Sequence, residues 1–169
     1  MSKEQQTSSG FGARLLWGIG GTFLGMVICG FIAITQMPKA MIVTHESRLG
    51  FDETVQAIED SIKEHGWSSP GTMNLNKAMA KHNVELGPQV RVISLCKATY
   101  AKDVLTTDRY VSSLMPCRIS VWQGDDGKVY VSKMNTGLMG KLFGGNIAKV
   151  MGEAVGKDEE AILDGIIRN

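Results

Sequence analysis

Cys96 and Cys117 carry the sharpest chemistry in this sequence. Each ends or begins a strand-like run, so the two thiols can meet at one edge of a sheet. Three readings stay open. In an oxidising compartment the pair can form a disulfide if their Cα atoms lie about 4.4–6.8 Å apart. Two thiolates with a histidine or methionine can instead hold a soft metal or a haem iron. Finally, free cysteine is among the most buried residue types and packs as a small hydrophobe. Cys117, Ile119 and Val121 share one strand face, as a core requires. That last reading fits the pattern best, so no resident cofactor and no metal site are assigned.

The remaining candidates are less specific. His45, His65 and His82 are scattered, with no His-xxx-His or Cys-xx-Cys spacing. Of the ten methionines, Met134, Met139 and Met151 fall near one another in the domain, where methionine commonly fills irregular core. The glycine-rich stretch Gly137 to Gly145 lacks the Gly-Lys-Ser/Thr order of a phosphate loop. With Met139, Leu142 and Phe143 it reads as a mobile docking loop, or a lipid-facing one. Asp125-Asp126 is turn chemistry inside a hairpin. No Gly-x-Ser-x-Gly, His-Glu-x-x-His or Cys-x-x-Cys-His motif occurs. No nucleophile–base pair can be placed, so no catalytic residue is assigned and the chain reads as a non-enzyme.

The elements that must position these residues follow from periodicity. Met41 to Glu46 reads as a strand. Phe51, Val55, Ile58 and Ile62 form one helical stripe, opened by Asp52 and Glu53 and closed by Gly66. Ser68 to Gly71 reads as a turn and Asn74 to His82 as a short helical segment. Val90 to Cys96 is strand-like, with a helix near Thr99 to Leu105. Arg118 to Trp122 and Lys128 to Ser132 pair as a hairpin across Gly124-Asp125-Asp126-Gly127. Ile147, Val150, Met151 and Ala154 make another helical stripe, and Asp158 is read as the cap of a last helix. The order predicts an α+β fold: one β-α-β(n)-α domain, its antiparallel sheet bearing helices on one face.

Before that domain lies a different kind of segment. From Leu15 to Pro38 there is no charged residue and no histidine, between Arg14 and Lys39. About 20 mainly apolar residues match the hydrocarbon thickness of a bilayer. Trp17 suits the headgroup level. The expected organisation is a polar tail at 1–14, a single transmembrane helix at 15–38 and a domain at 39–169. Gly21 and Gly25, extended by Cys29, place small residues at four-residue spacing, a helix-packing face in lipid. Flanking basic residues tie at two against two. A short tail with Arg14 against the membrane is the layout of a signal anchor, so the tail is expected in the cytoplasm. The domain is then periplasmic, on a bacterial inner membrane.

Composition bounds the rest. The 169 residues carry a net charge of +1, with 43% hydrophobic and 21% charged content. Beyond the expected anchor, sixteen basic residues face sixteen acidic ones, so a nucleic-acid partner, which draws on a basic excess, is not expected. Three cysteines cannot frame a disulfide-dense secreted scaffold.

One pattern goes further. It runs from Phe51-Asp52-Glu53-Thr54 through Ile93-Ser94-Leu95-Cys96 to Leu114-Met115-Pro116-Cys117-Arg118, then into Asp126-Gly127-Lys128-Val129 and Met134-Asn135-Thr136. This resembles domain-of-unknown-function family 302 over roughly Met41 to Ile167. The resemblance implies a compact α+β domain similar to one half of the TATA-box-binding-protein-like fold, often dimeric, and implies no activity. Lys97-Ala98-Thr99 departs from the asparagine and proline that members commonly carry there. The leading functional expectation is a membrane-anchored, non-enzymatic accessory subunit, docked on other membrane-protein subunits or on itself. A respiratory or photosynthetic redox complex is a candidate host. The alternative is a thiol-centred ligand, metal or redox-binding module using Cys96 and Cys117.

Overall fold

The computed structural model of the protein describes residues 25–32 and 34–168. The chain divides into two units, residues 1–39 and residues 40–169. In the first, the tail 1–14 and the opening of the expected anchor, 15–24 with Gly21, lie outside the described residues. Residues 25–32 and 34–39 are helical, and Met26, Val27, Ile28, Phe31, Ile32 and Ile34 are exposed. Gly25 and Cys29 lie on this helix; Cys29 is exposed, and a Cβ added at Gly25 would meet nothing within 4 Å. Among the described residues no helix is long and apolar enough to cross a membrane.

The second unit is built around a five-stranded sheet. Strand β1 (Ile42–Glu46) is followed by helix α1 (Phe51–Glu64), whose Phe51, Ile58 and Ile62 are buried as the 3.6-residue stripe predicts, while Val55 is only half-buried and the neighbouring Thr54 is buried instead. The Glu53 carboxylate accepts a hydrogen bond from the Gly50 backbone N–H (3.2 Å), fixing the start of α1. Gly66, at φ +72°, takes the chain past its end. Next come β2 (Ser68–Asn74), α2 (Leu75–Ala80), β3 (Val90–Cys96) and α3 (Ala98–Thr107). A 3-10 turn (Arg109–Leu114) leads to β4 (Cys117–Gln123) and β5 (Val129–Met134). Helix α4 (Thr136–Phe143) precedes three abutting helical segments, Gly145–Ile147, Ala148–Val155 and Gly156–Leu163, together called α5. The middle segment is π-wound.

The strand order is β1-β5-β4-β3-β2, and every neighbouring pair is antiparallel. Alternation sends Ile93, Leu95, Ile119, Val121, Val129 and Val131 to one face, where they pack with residues of α1 and α5. On the opposite face, Trp122 stacks on Tyr130 at 4.6 Å between ring centroids. The Trp122 indole N–H donates to Ser132 Oγ (2.8 Å). The chain end is sewn back to the start of the sheet. Ser47 bridges to Ile167, and the Arg168 N–H donates to the Glu46 carbonyl at 2.8 Å.

Three local expectations are corrected. Ser68 to Gly71 is not a turn but the opening of edge strand β2, with a register shift between Ser68 and Gly71. An edge position and a bulge are where a strand tolerates Pro70. Gly137 to Gly145 is not a loop: residues 136–143 are helical, because Gly140 packs directly against α5. Asp158 caps nothing, since helical residues precede it back to Gly145. The Gly124–Gly127 hairpin forms as read, with Gly127 at φ +78° and the Gly124 N–H bonded to the Lys128 carbonyl (2.9 Å).

Candidate functional site

Strand β4 begins and β5 ends at the same margin of the sheet, and the segment Ser113 to Pro116 passes over that margin into β4. Between them lies a cavity of about 310 Å³. Its wall takes Met115 and Cys117 from the β4 entry, Met134 from the end of β5 and Met151 from the π-wound part of α5. Two smaller hollows, of about 10 and 20 Å³, also touch Met115 and Met151; Met139 lines the first and Cys96 the second.

A charged pair lies in this mainly apolar wall. Lys133 Nζ is 2.8 Å from Glu159 Oε2, with only 12% and 2% of the two side chains exposed. Burial pushes the Glu159 carboxyl above its ordinary range, against the pull of Lys133 and a hydrogen bond from Thr136. The Cys117 thiol is pushed up to about 12, first by burial and then by the nearby Glu159 carboxylate and Cys96. At neutral pH Cys117 is therefore a protonated thiol. Nucleophilic or redox work needs the thiolate, so the free thiol is not poised for either.

Cys96 and Cys117 are both free. The register explains this: the cross-strand partner of Cys117 is Leu95, and that of Cys96 is Ser68 on β2. Next to Cys96, Lys97 binds Asp158 Oδ2 (2.7 Å), and the Trp67 indole N–H donates to the same oxygen (2.9 Å). The ammonium also lies 4.8 Å from the centroid of the Tyr100 ring. Burial opposes charge on Asp158, but these bonds prevail and hold its carboxyl below the ordinary value. This cluster ties the end of β3 to α5, which gives Lys97 a structural task.

The docking residues separate. Met139 is 6% exposed and packs inward, so it cannot serve a docking surface, whereas Leu142 and Phe143 are 50% and 41% exposed. Tyr110 joins them, its ring 6.2 Å from that of Phe143. None of the three histidines lines the sulfur-walled cavity. Among the described residues no group of three or more His, Cys, Asp and Glu side chains converges.

Lys133, Glu159, Thr136 and Met115 are the site residues that motif reading missed. A signal was present for two of them. Lys133 shares strand parity with Val129 and Val131, and Glu159 falls between Val155 and Ile162 on an apolar helical stripe. Opposite charges on two inward-facing patterns imply a buried pair.

Comparisons with known proteins agree with this architecture. An uncharacterized protein of Aquifex aeolicus (strain VF5) is 24% identical over 106 residues, spanning 62% of this chain and 72% of that one. The crystal structure of the uncharacterized conserved protein DUF302 from Bacillus stearothermophilus superposes with a TM-score of 0.65 at 18% identity. It covers 73% of this chain and 96% of its own, a likeness of fold. The family described as Domain of unknown function DUF302 matches residues 43–166, which include all five strands except the first residue of β1. The chain belongs to the DUF302 family.

Proposed function

We propose that the chain is a membrane-tethered, non-catalytic binding module whose ligand occupies the cavity where β4 begins and β5 ends. The observation that carries this reading is the cavity itself: about 310 Å³, with mainly apolar walls and one buried Lys133–Glu159 pair. Small-molecule sites commonly combine such walls with a few polar groups. The protonated Cys117 favours binding over thiol chemistry at this place. The tether is supported by the charge-free run 15–38 and by the exposed side chains of Met26, Val27, Ile28, Phe31, Ile32 and Ile34.

Indole is a suitable probe of the cavity. Thermal unfolding of the full chain in mild detergent is measured with and without it, alongside Ser120→Phe, which places a ring at the cavity wall. Binding to the folded state raises the midpoint. The expected result is an upward shift in the parent chain and none in the variant. Equal shifts, or no shift in either, overturn the cavity reading.

A second reading, docking on a larger membrane assembly, is favoured by the exposed Tyr110, Leu142 and Phe143. Native mass measurement from mild detergent tests it; a lone monomer counts against it.

A further inference from the structure

We propose that the cavity takes a soft monovalent metal ion, copper(I), held by the thioethers of Met115, Met134 and Met151 and the sulfur of Cys117. This rests on the reading of the cavity as a ligand site and names its ligand class. Four sulfur-bearing side chains from the β4 entry, β4, β5 and α5 line one space of about 310 Å³. Met139 and Cys96 line the two adjoining hollows. Six of the nine Met and Cys residues in 40–169 thus gather at one margin of the sheet, although they are spread from position 96 to 151. Soft thiolate and thioether donors select copper(I) over hard cations.

The surrounding groups agree with that choice. The Glu159 carboxylate is engaged by Lys133 (2.8 Å), and Ser132 Oγ is engaged by Trp122 and Thr44 at 2.8 Å each. The four sulfurs are the soft donors of the wall. Charge balances as well: copper(I) with one thiolate is neutral, so it adds no unpaired charge to an apolar wall. On binding, the Cys117 S–H bond breaks, a sulfur–copper bond forms and the proton leaves to solvent. No electron is transferred, and the metal stays at +1.

The test uses the full chain in mild detergent with Cys29→Ser and Cys96→Ser, which removes the other two thiols. Copper(I) is titrated anaerobically under reductant against bicinchoninate, whose coloured complex reports the metal left unbound. One equivalent withheld from the chelator is expected. The Met115→Leu, Met134→Leu, Met151→Leu variant conserves volume and apolarity. It should bind about 10–100-fold more weakly, the range lost even when an outer-shell partner is removed. Unchanged affinity in that variant overturns the thioether site. No copper(I) binding alongside a clear indole shift overturns the metal while leaving the cavity reading intact. Loss of both responses overturns both.

Discussion

Lys133 and Glu159 show how much one residue pair decides in this domain. A buried ion pair gains little over well-packed apolar residues, yet removing one partner strands the other charge at a cost of about 3–5 kcal/mol. Lys133→Met leaves the Glu159 carboxylate in an apolar wall without its ammonium. Glu159 already titrates above its ordinary 4.5, so its ionisation opposes folding. Its favourable contribution, complete below 4.5, is lost as the pH rises through the folded value. Removing Lys133 raises that folded value further. Urea unfolding of Lys133→Met should therefore show a larger stability loss at pH 8 than at pH 5; equal losses would show that the pair is not buried as described. This site is partly legible in the sequence: the strand face that Cys117 shares with Ile119 and Val121 places it against the core, where it is partly buried. The pair is not legible there, because motif reading searches for convergent catalytic types rather than for charges on apolar stripes.

At the scale of elements, the approach of α4 to α5 is the least forgiving contact. A Cβ at Gly140 would lie 2.8 Å from the Gly152 Cα and 3.1 Å from the Ala148 Cα, both backbone atoms that cannot turn aside. Gly140→Ala should destabilise by about 1–3 kcal/mol, the range for overpacking, despite alanine's helix preference of about 1 kcal/mol. Gly137→Ala is the control, since its nearest neighbour is a side-chain oxygen at 3.6 Å. It should be neutral or slightly stabilising in the same circular-dichroism melts. If both variants melt alike, the close packing of α4 on α5 is wrong. This contact also explains the misreading of Gly137 to Gly145 as a loop. Local propensity opposes a glycine-rich helix, and only tertiary packing shows why glycine is required. Edge strand β2 escaped for a related reason: Pro70 and Gly71 signal a turn unless the sheet's edge and its bulge are already known. α1 and the β4–β5 hairpin were readable because periodicity and turn chemistry alone determine them.

For the molecule as a whole, the question is which part of the chain carries its stability. Every residue of the buried apolar cluster lies between Phe51 and Ile166, and the family match spans 43–166. Among the described residues, removing 1–39 takes away no member of that cluster and no strand, so the fragment 40–169 should unfold at the same urea midpoint and with the same slope as the full chain. The slope follows the surface exposed on unfolding, so an unchanged value would show that the same structure is lost. The other end behaves oppositely. Ile166 is buried, its carbonyl accepts from the Arg48 N–H (2.9 Å), and the Arg168 N–H reaches the Glu46 carbonyl beside it. A fragment 40–163 loses that closure where the chain leaves β1. With it goes a buried isoleucine, and truncating such a side chain costs about 2–5 kcal/mol. Its midpoint should fall well below that of 40–169. A drop on removing 1–39 instead would place part of the domain's stability in the N-terminal segment, and an unchanged midpoint for 40–163 would make the Ser47–Ile167 bridge incidental. Because the sheet margin that bears the cavity lies within 40–169, that fragment also separates the proposed ligand binding from the proposed tether. A ligand response preserved in 40–169 belongs to the domain, and a response lost there depends on residues 1–39.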